Sequence, residues 1–363
     1  MSIMQSKDGM NYAPVSLKKP QLVCGPGEFV FAAMALDHGH IYGQTNGLLE
    51  AGGTLKWVWD SDPLRAAQFA QRYPQVKIAE SQEQILDDQE VKLVAAAAIP
   101  SERATLGMRV MDAGKDYFTD KTPFTTLEQL AAVRVKARET GQKYMVYYSE
   151  RLHSESGVYA GELIRQGAIG RVLQVMGTGP HRLNQATRPD WFFRKEQYGG
   201  ILTDIGSHQV EQFLYYAGCA DARVLHSKVA NYHHADVPEF EDFGDATLVG
   251  DNGATNYFRV DWFTPDGLSS WGDGRTIIMG TDGFIELRKY VDIARESSGD
   301  HVYLVNGEGE YHYAASGKTG YPFFGQLIRD CLDRTETAMT QEHAFKAAEL
   351  CMLAQQQSIR IPY

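Results

Sequence analysis

Phe29-Val30-Phe31-Ala32-Ala33-Met34-Ala35-Leu36-Asp37-His38-Gly39-His40-Ile41-Tyr42-Gly43 decides the fold. Its first eight residues are apolar without interruption, as in a strand buried on both faces. A short polar turn follows, and residues 41–51 read as a helix that Gly52-Gly53 ends. The alternation then repeats. Residues 55–59 read as a strand, Asp62-Pro63 opens a helix to about Tyr73, 76–78 is a short strand and 82–86 a helix. Strands at 91–99, 115–119 and 144–148 are separated by helices at 102–113 and 127–140. Strands alternating with helices of this length imply right-handed βαβ units and a doubly wound parallel sheet. Residues 21–148 are therefore expected to form a Rossmann-type dinucleotide-binding domain.

From residue 149 the texture changes. A helix at 157–166 and a strand at 171–176 precede a loop rich in arginine and aromatics, residues 180–198. A helix runs from near Ile201 to about Ala217. Segments at 223–231, 243–249, 254–263, 276–279, 283–287 and 301–305 read as strands, with Asn252-Gly253 and Asp282-Gly283 as hairpin turns. Helices at 324–333 and 342–358 close the chain and are candidates to pack back on the first domain. The expected class is α/β: the parallel sheet, then an α+β domain over 149–363 with a mostly antiparallel open sheet. Residues 1–20 are polar, lack periodicity and read as an arm or tail.

Composition agrees with this. At roughly 150 residues per domain, 363 residues suggest two domains. With 43% hydrophobic and 22% charged residues, the chain is neither disordered nor fibrous. A net charge of −11 argues against a general nucleic-acid binder. Cys24, Cys219, Cys331 and Cys351 are far apart and read as free thiols of a reducing compartment. No run approaches the roughly 18 apolar residues of a membrane span, and no apolar segment marks a signal peptide. A soluble, cytoplasmic protein without a membrane partner is expected.

A dinucleotide loop must follow a strand and open a helix, so that backbone N–H groups face the pyrophosphate. Gly25-Pro26-Gly27 precedes the first strand and reads as a turn. The loop in the right place is Ala35 to Gly43, where Ala35 and Asp37 stand about where the first two glycines of G-x-G-x-x-G would be. Asp60, about twenty residues on at the end of the second strand, is placed to receive the adenosine ribose hydroxyls. A carboxylate there repels a 2′-phosphate, and neither Ser61 nor Asp62 offers a cation, so NAD is expected over NADP. Asp60 could instead cap the next helix, although Asp62 is better placed for that.

Asp120-Lys121-Thr122-Pro123 after a strand resembles the E-K-P motif of the glucose–fructose oxidoreductase / inositol dehydrogenase / MocA family. Gly199-Gly200-Ile201-Leu202-Thr203-Asp204-Ile205-Gly206-Ser207-His208 resembles its G-G-x-x-x-D-x-G-x-H helix, and Gly280-Thr281-Asp282-Gly283 its late hairpin. The resemblance covers the chain from about Phe29 to the last helix. The glycine-poor loop and the threonine after Lys121 depart from the pattern. The resemblance implies a two-domain oxidoreductase acting on sugars, sugar derivatives or cyclitols, with nicotinamide held between the sheets. It also implies a homodimer or homotetramer built through the open sheet, and an arm lying against a neighbouring subunit.

Oxidising a secondary alcohol needs a group to take the hydroxyl proton and a charge to stabilise the oxygen. Asp204 and His208, four apart, share a helix face. An ion pair between them is the bland alternative; the glycines and Lys121 favour catalysis. The resemblance makes His208 the base, Lys121 the electrostatic partner and Asp204 an orienting or substrate-bonding group. A metal at D-x-x-x-H would need a third ligand, such as from His233-His234-x-Asp236, and nothing brings that segment near, so none is expected. His181, Arg182 and Trp191 are the candidate substrate contacts of the 180–198 loop, and the resemblance implies that Tyr148, Glu150 and Arg151, at the end of the first domain's last strand, approach the nicotinamide or substrate. Asp37, His38, Gly39, His40, Ile99, Pro100, Asp120 and Lys121 are expected to line the cofactor. Two other functions fit the same residues: an enzyme that retains NAD and acts on glycosides by transient oxidation, and a non-catalytic dinucleotide-binding regulator.

Overall fold

All five residues of β1, Val30–Met34, are buried, which is what an uninterrupted apolar run demands. The computed structural model describes residues 7–362. In it β1 is joined by β2 (Thr54–Trp59), β3 (Lys77–Ile78), β4 (Val91–Ala96), β5 (Asp116–Asp120) and β6 (Tyr144–Tyr147). The six strands are parallel and run in the order β3-β2-β1-β4-β5-β6. Strand order reverses between β1 and β4, and the crevice beyond their carboxyl ends is where such sheets bind ligands. Local signals set the helices between them. Asp62 caps helix Pro63–Arg72 by accepting from Leu64 N at 2.9 Å. Thr126 and Gln129 form a capping box on helix Leu127–Thr140, which Gly141 ends at φ 69°.

The second sheet has nine strands: β7 (Val172–Pro180), β8 (Ala222–Ala230), β9 (Phe243–Gly250), β10 (Thr255–Asp261), β11 (Arg275–Gly280), β12 (Gly283–Arg288), β13 (His301–Asn306), β14 (Gly309–Ala314) and β15 (Ile359–Arg360). Their order is β14-β13-β12-β11-β7-β10-β9-β8-β15. Pairings β7–β10 and β8–β15 are parallel and the rest antiparallel.

The helix expected from Ile201 to Ala217 forms as Ile201–Asp204 and Gly206–Ala217, with Ile205 between them. It packs on β7 and β10. Both closing helices reach the first domain. Gln341–Gln356 lies on β6 and on helix Leu127–Thr140. Pro322–Asp333 lies on helix His40–Glu50, where a Cβ on Gly47 would stand 2.4 Å from the Phe324 ring.

Residues 7–20 of the expected arm lie against their own chain. Ser16 Oγ donates to Glu155 Oε1 at 2.8 Å, and Lys18 Nζ to Thr319 O at 3.3 Å. Tyr12 finds an aromatic slot between Trp271 and Tyr290, with ring centroids 5.6 and 5.7 Å away. Residues 1–6 of the expected arm lie outside the described residues.

Candidate active site

Gly199 and Gly200 hold φ of 88° and 93°, a left-handed turn that glycine adopts without strain. A Cβ on Gly200 would meet Gln355 at 2.4 Å. The turn starts the helix that carries Asp204 and His208 into a cavity also lined by Lys121 from the end of β5. Lys121 Nζ lies 2.5 Å from Asp204 Oδ1, and both are buried. Asp204 therefore pairs with the lysine, and the ion pair with His208 weighed from spacing does not form. His208 is 2% exposed. Burial takes its pKa down to about 3, with Lys121 pushing the same way and Glu150 opposing. The imidazole is neutral at neutral pH, and its Nδ1 has no protein partner.

Behind His208, Lys289 Nζ sits 3.0 Å from Glu150 Oε2. Burial alone would raise the Glu150 pKa, but Lys289, His208 and His181 bring it to about 2. Among the described residues, four buried polar atoms on cavity-lining side chains have no hydrogen-bond partner: His208 Nδ1, Glu150 Oε1, Trp262 Nε1 and Trp271 Nε1. Buried polar groups are normally satisfied, so two indole donors and two nitrogen or oxygen atoms around one cavity mark a site for a ligand rich in hydroxyls.

Comparisons with known proteins identify the family. Residues 22–148 match a family model described as "Oxidoreductase family, NAD-binding Rossmann fold", and residues 158–286 one described as "GFO/IDH/MocA C-terminal domain". An oxidoreductase structure from Erwinia carotovora atroseptica SCRI1043 is 55% identical, with TM-score 0.89 over 92% of this chain and 100% of that one. The chain belongs to the GFO/IDH/MocA oxidoreductase family. Among curated members, scyllo-inositol 2-dehydrogenase (NAD(+)) of Bacillus subtilis is 25% identical over 70% of each chain. D-xylose dehydrogenase of Paenarthrobacter nicotinovorans is 27% identical, in a match spanning 39% of this chain and 37% of that protein. Levoglucosan dehydrogenase in complex with NADH and levoglucosan shares the fold at 17% identity, with TM-score 0.75 over 91% of this chain and 96% of that one.

A dinucleotide of this family fits the switch-point crevice. A cleft of about 370 Å³ there is lined by Ala35, Asp37, Trp59, Ser61, Ala98 and Arg109, among others. Ala35 takes φ 52°, the left-handed conformation glycine would give at that place. Asp37 faces the same cleft and pairs with Arg65 Nη2 at 3.0 Å. Pro100 is buried and Ile99 half-buried where β4 leads into the short 3₁₀ turn Pro100–Glu102.

Two expected cofactor contacts are engaged otherwise. Asp60 accepts from Leu36 N at 2.5 Å, Asp62 N at 2.7 Å and Arg65 Nε at 2.9 Å, so its carboxylate is saturated inside the fold. Asp120 is fully buried, 2.8 Å from His40 Nδ1, 3.3 Å from Arg103 Nη2 and 3.4 Å from His38 Nδ1. These neighbours overcome burial and hold its carboxyl far below the usual range. His38, His40 and Asp120 have the spacing of a metal-ligand set. However, the Arg103 guanidinium already supplies the positive charge this carboxylate needs. His38 and His40 also line the catalytic cavity, while Gly39 touches the arm: a Cβ there would meet Met10 O at 2.5 Å.

Of the substrate candidates, His181 lines the cavity, edge-on to Trp262 and tilted against Trp271. Three others do not. Arg151 makes a buried ion pair with Glu211 and lies over Tyr215. Arg182 spends its guanidinium on Lys7 O, Pro265 O and Leu268 O. Trp191 packs near His38 and Phe192, and Phe192 is the one that reaches the cavity. Glu150, Arg188, Trp262, Trp271 and Tyr290 complete the wall. For the two tryptophans the only sequence signal was a bulky residue with a donor in a β-rich stretch. Among the described residues, no helix is long and apolar enough to cross a membrane.

Proposed function

We propose that this protein is an NAD-dependent dehydrogenase that oxidises a ring hydroxyl of a sugar, sugar derivative or cyclitol. The observation that carries this reading is the buried Lys121–Asp204 pair beside a neutral His208, in a cavity whose unpartnered atoms suit hydroxyl groups. In this scheme His208 takes the hydroxyl proton. Lys121, oriented by Asp204, stabilises the negative charge that develops on the oxygen. Phe192, Trp262, Trp271 and Tyr290 keep water from the reacting carbon. Bound nicotinamide supplies the hydride acceptor.

NAD is favoured over NADP by charge. Arg65 is a cation that the sequence reading overlooked, but it already lies 3.0 Å from Asp37 and 2.8 Å from Asp60. These three side chains sum to one negative charge, which disfavours a 2′-phosphate. The test is reduced-nicotinamide absorbance with sugars, sugar acids, glycosides and inositols, each with NAD and with NADP. Net reduction of NAD, at least tenfold faster than of NADP, is the expected result. NAD that binds without net reduction, while a glycoside is cleaved, would instead favour the retained-cofactor reading.

We also propose that the outer face of the second sheet joins two copies of the chain. Met176, Tyr257, Met279 and Phe284 are exposed there, and the strand register places them on one face. Contiguous exposed apolar surface of this kind marks association sites. Light scattering should give at least a dimer, and Met176→Asp with Phe284→Asp should give the monomer mass. A monomeric unmodified protein would sink the proposal.

A further inference from the structure

Charges around the catalytic cavity pair off, with one exception. Lys121 has Asp204, and Lys289 has Glu150. Arg188, whose side chain is only 2% exposed, has no carboxylate of either domain's core within reach. Its Nε donates to Leu183 O at 2.7 Å and its Nη2 to Arg182 O at 3.3 Å. Its guanidinium lies over Phe192 and Trp262. Among the described residues, one carboxylate lies within 4 Å: Asp8 Oδ1 of the arm, at 3.6 Å.

That contact is longer than the 2.7–2.9 Å of a charge-assisted hydrogen bond. Asp8 also has other work, capping the short turn Gly9–Asn11 through Met10 N at 3.0 Å. This turn brings Gly9 and Met10, with Tyr12 beside them, to the cavity and leaves about 30 Å³ of free space. Such a volume holds a water or two and no sugar ring. Any substrate must therefore displace the turn, and Asp8 leaves with it. The buried guanidinium would then lose its nearest carboxylate and keep only the more distant charge of Asp204, which Lys121 already neutralises, so an incoming molecule that supplies a carboxylate is favoured. A hydroxyl group supplies no such charge.

We infer that Arg188 binds a carboxylate of the substrate, that the substrate is a sugar acid, and that Asp8 holds the carboxylate's place when no substrate is bound. The inference rests on the dehydrogenase reading above and narrows it. Arg188 belongs to the second domain's loop, beside His181, and its planar fork matches a carboxylate in two-point contact.

The test uses the full chain with saturating NADH and follows tryptophan fluorescence while matched ligands are titrated: D-glucuronate against D-glucose, D-galacturonate against D-galactose, D-gluconate against D-glucitol. At least one acid should bind tenfold or more tighter than its neutral partner. Arg188→Gln should erase that preference, so that each acid and its neutral partner bind within twofold of one another. Arg188→Lys, which keeps the charge but not the fork, should retain part of it. Asp8→Asn, in the arm and outside both domain cores, should tighten acid binding severalfold by removing the competing carboxylate. Acids that bind no tighter than their neutral partners, or a preference that survives Arg188→Gln, would overturn the inference. NADH binding, read separately from its own fluorescence, keeps the two ideas apart. Its absence defeats the dehydrogenase reading, whereas NADH binding without acid preference defeats only this one.

Discussion

Replacing His208 with asparagine should lower turnover by about 10³-fold while NADH affinity stays within twofold. Positioned proton transfer contributes roughly 10²- to 10⁴-fold, and His208 is the neutral imidazole in the cavity with an unpartnered nitrogen. The adenosine-side cleft, lined by Asp37, Trp59 and Ser61, is built from other elements, so cofactor binding should survive. Asparagine keeps a polar group of similar reach and removes the proton acceptor. Its backbone N–H to Ile205 O, at 3.2 Å, is unaffected. Steady-state kinetics and NADH fluorescence together decide the matter. Unchanged turnover would remove the base assignment, and lost NADH binding would show that the substitution had damaged the fold.

The first domain was legible because its signals are local. An apolar run makes β1, Asp62 caps its helix, and Gly141 ends another. The helix that carries Asp204 and His208 was legible for the same reason: two adjacent glycines, a carboxylate and an imidazole lie within ten residues. β14 escaped notice because Glu310, Tyr311 and His312 are exposed and carry no inward apolar face. Two of the expected site residues are held by distant partners. Asp60 looks free in sequence, yet the Leu36 amide, 24 residues earlier, takes its oxygen. Arg151 looks like a substrate arginine until Glu211, 60 residues on, claims it. Pattern shows which residue types are present but not which long-range partner has already satisfied them. The arm is the extreme case. Its first described residues have no periodicity, and their position follows from a slot formed by Trp271 and Tyr290, more than 250 residues away.

The protein should be stable at pH 7 and lose much of that stability between pH 6.5 and pH 5. Four buried histidines set this window. Burial lowers the pKa of His153 and His208 to about 3, of His181 to about 4, and of His38 well below the ordinary value. In the unfolded chain each titrates near 6.5. As pH falls below 6.5 the unfolded state takes up protons that the folded state refuses, so stability is fully present above that pH and declines below it. At pH 5 His153, His181 and His208 each cost about 2 kcal/mol, roughly 6 together, and His38 acts in the same direction. That is comparable to the whole folding stability of an ordinary protein, about 5–15 kcal/mol. Carboxylates do not explain a loss in this range. Glu150 and Glu211 have pKa values near 2, so their contribution is lost only below about pH 4.5. Thermal unfolding in half-unit pH steps should show Tm falling by about 8 °C from pH 7 to pH 5. A flat Tm across that interval would mean that these imidazoles are charged, or reached by water, in the folded protein. The His208→Asn protein supplies an internal control, because it removes one of the four titrating rings. Its acid-induced drop should be smaller by about 2 to 3 °C, even though its activity is already lost.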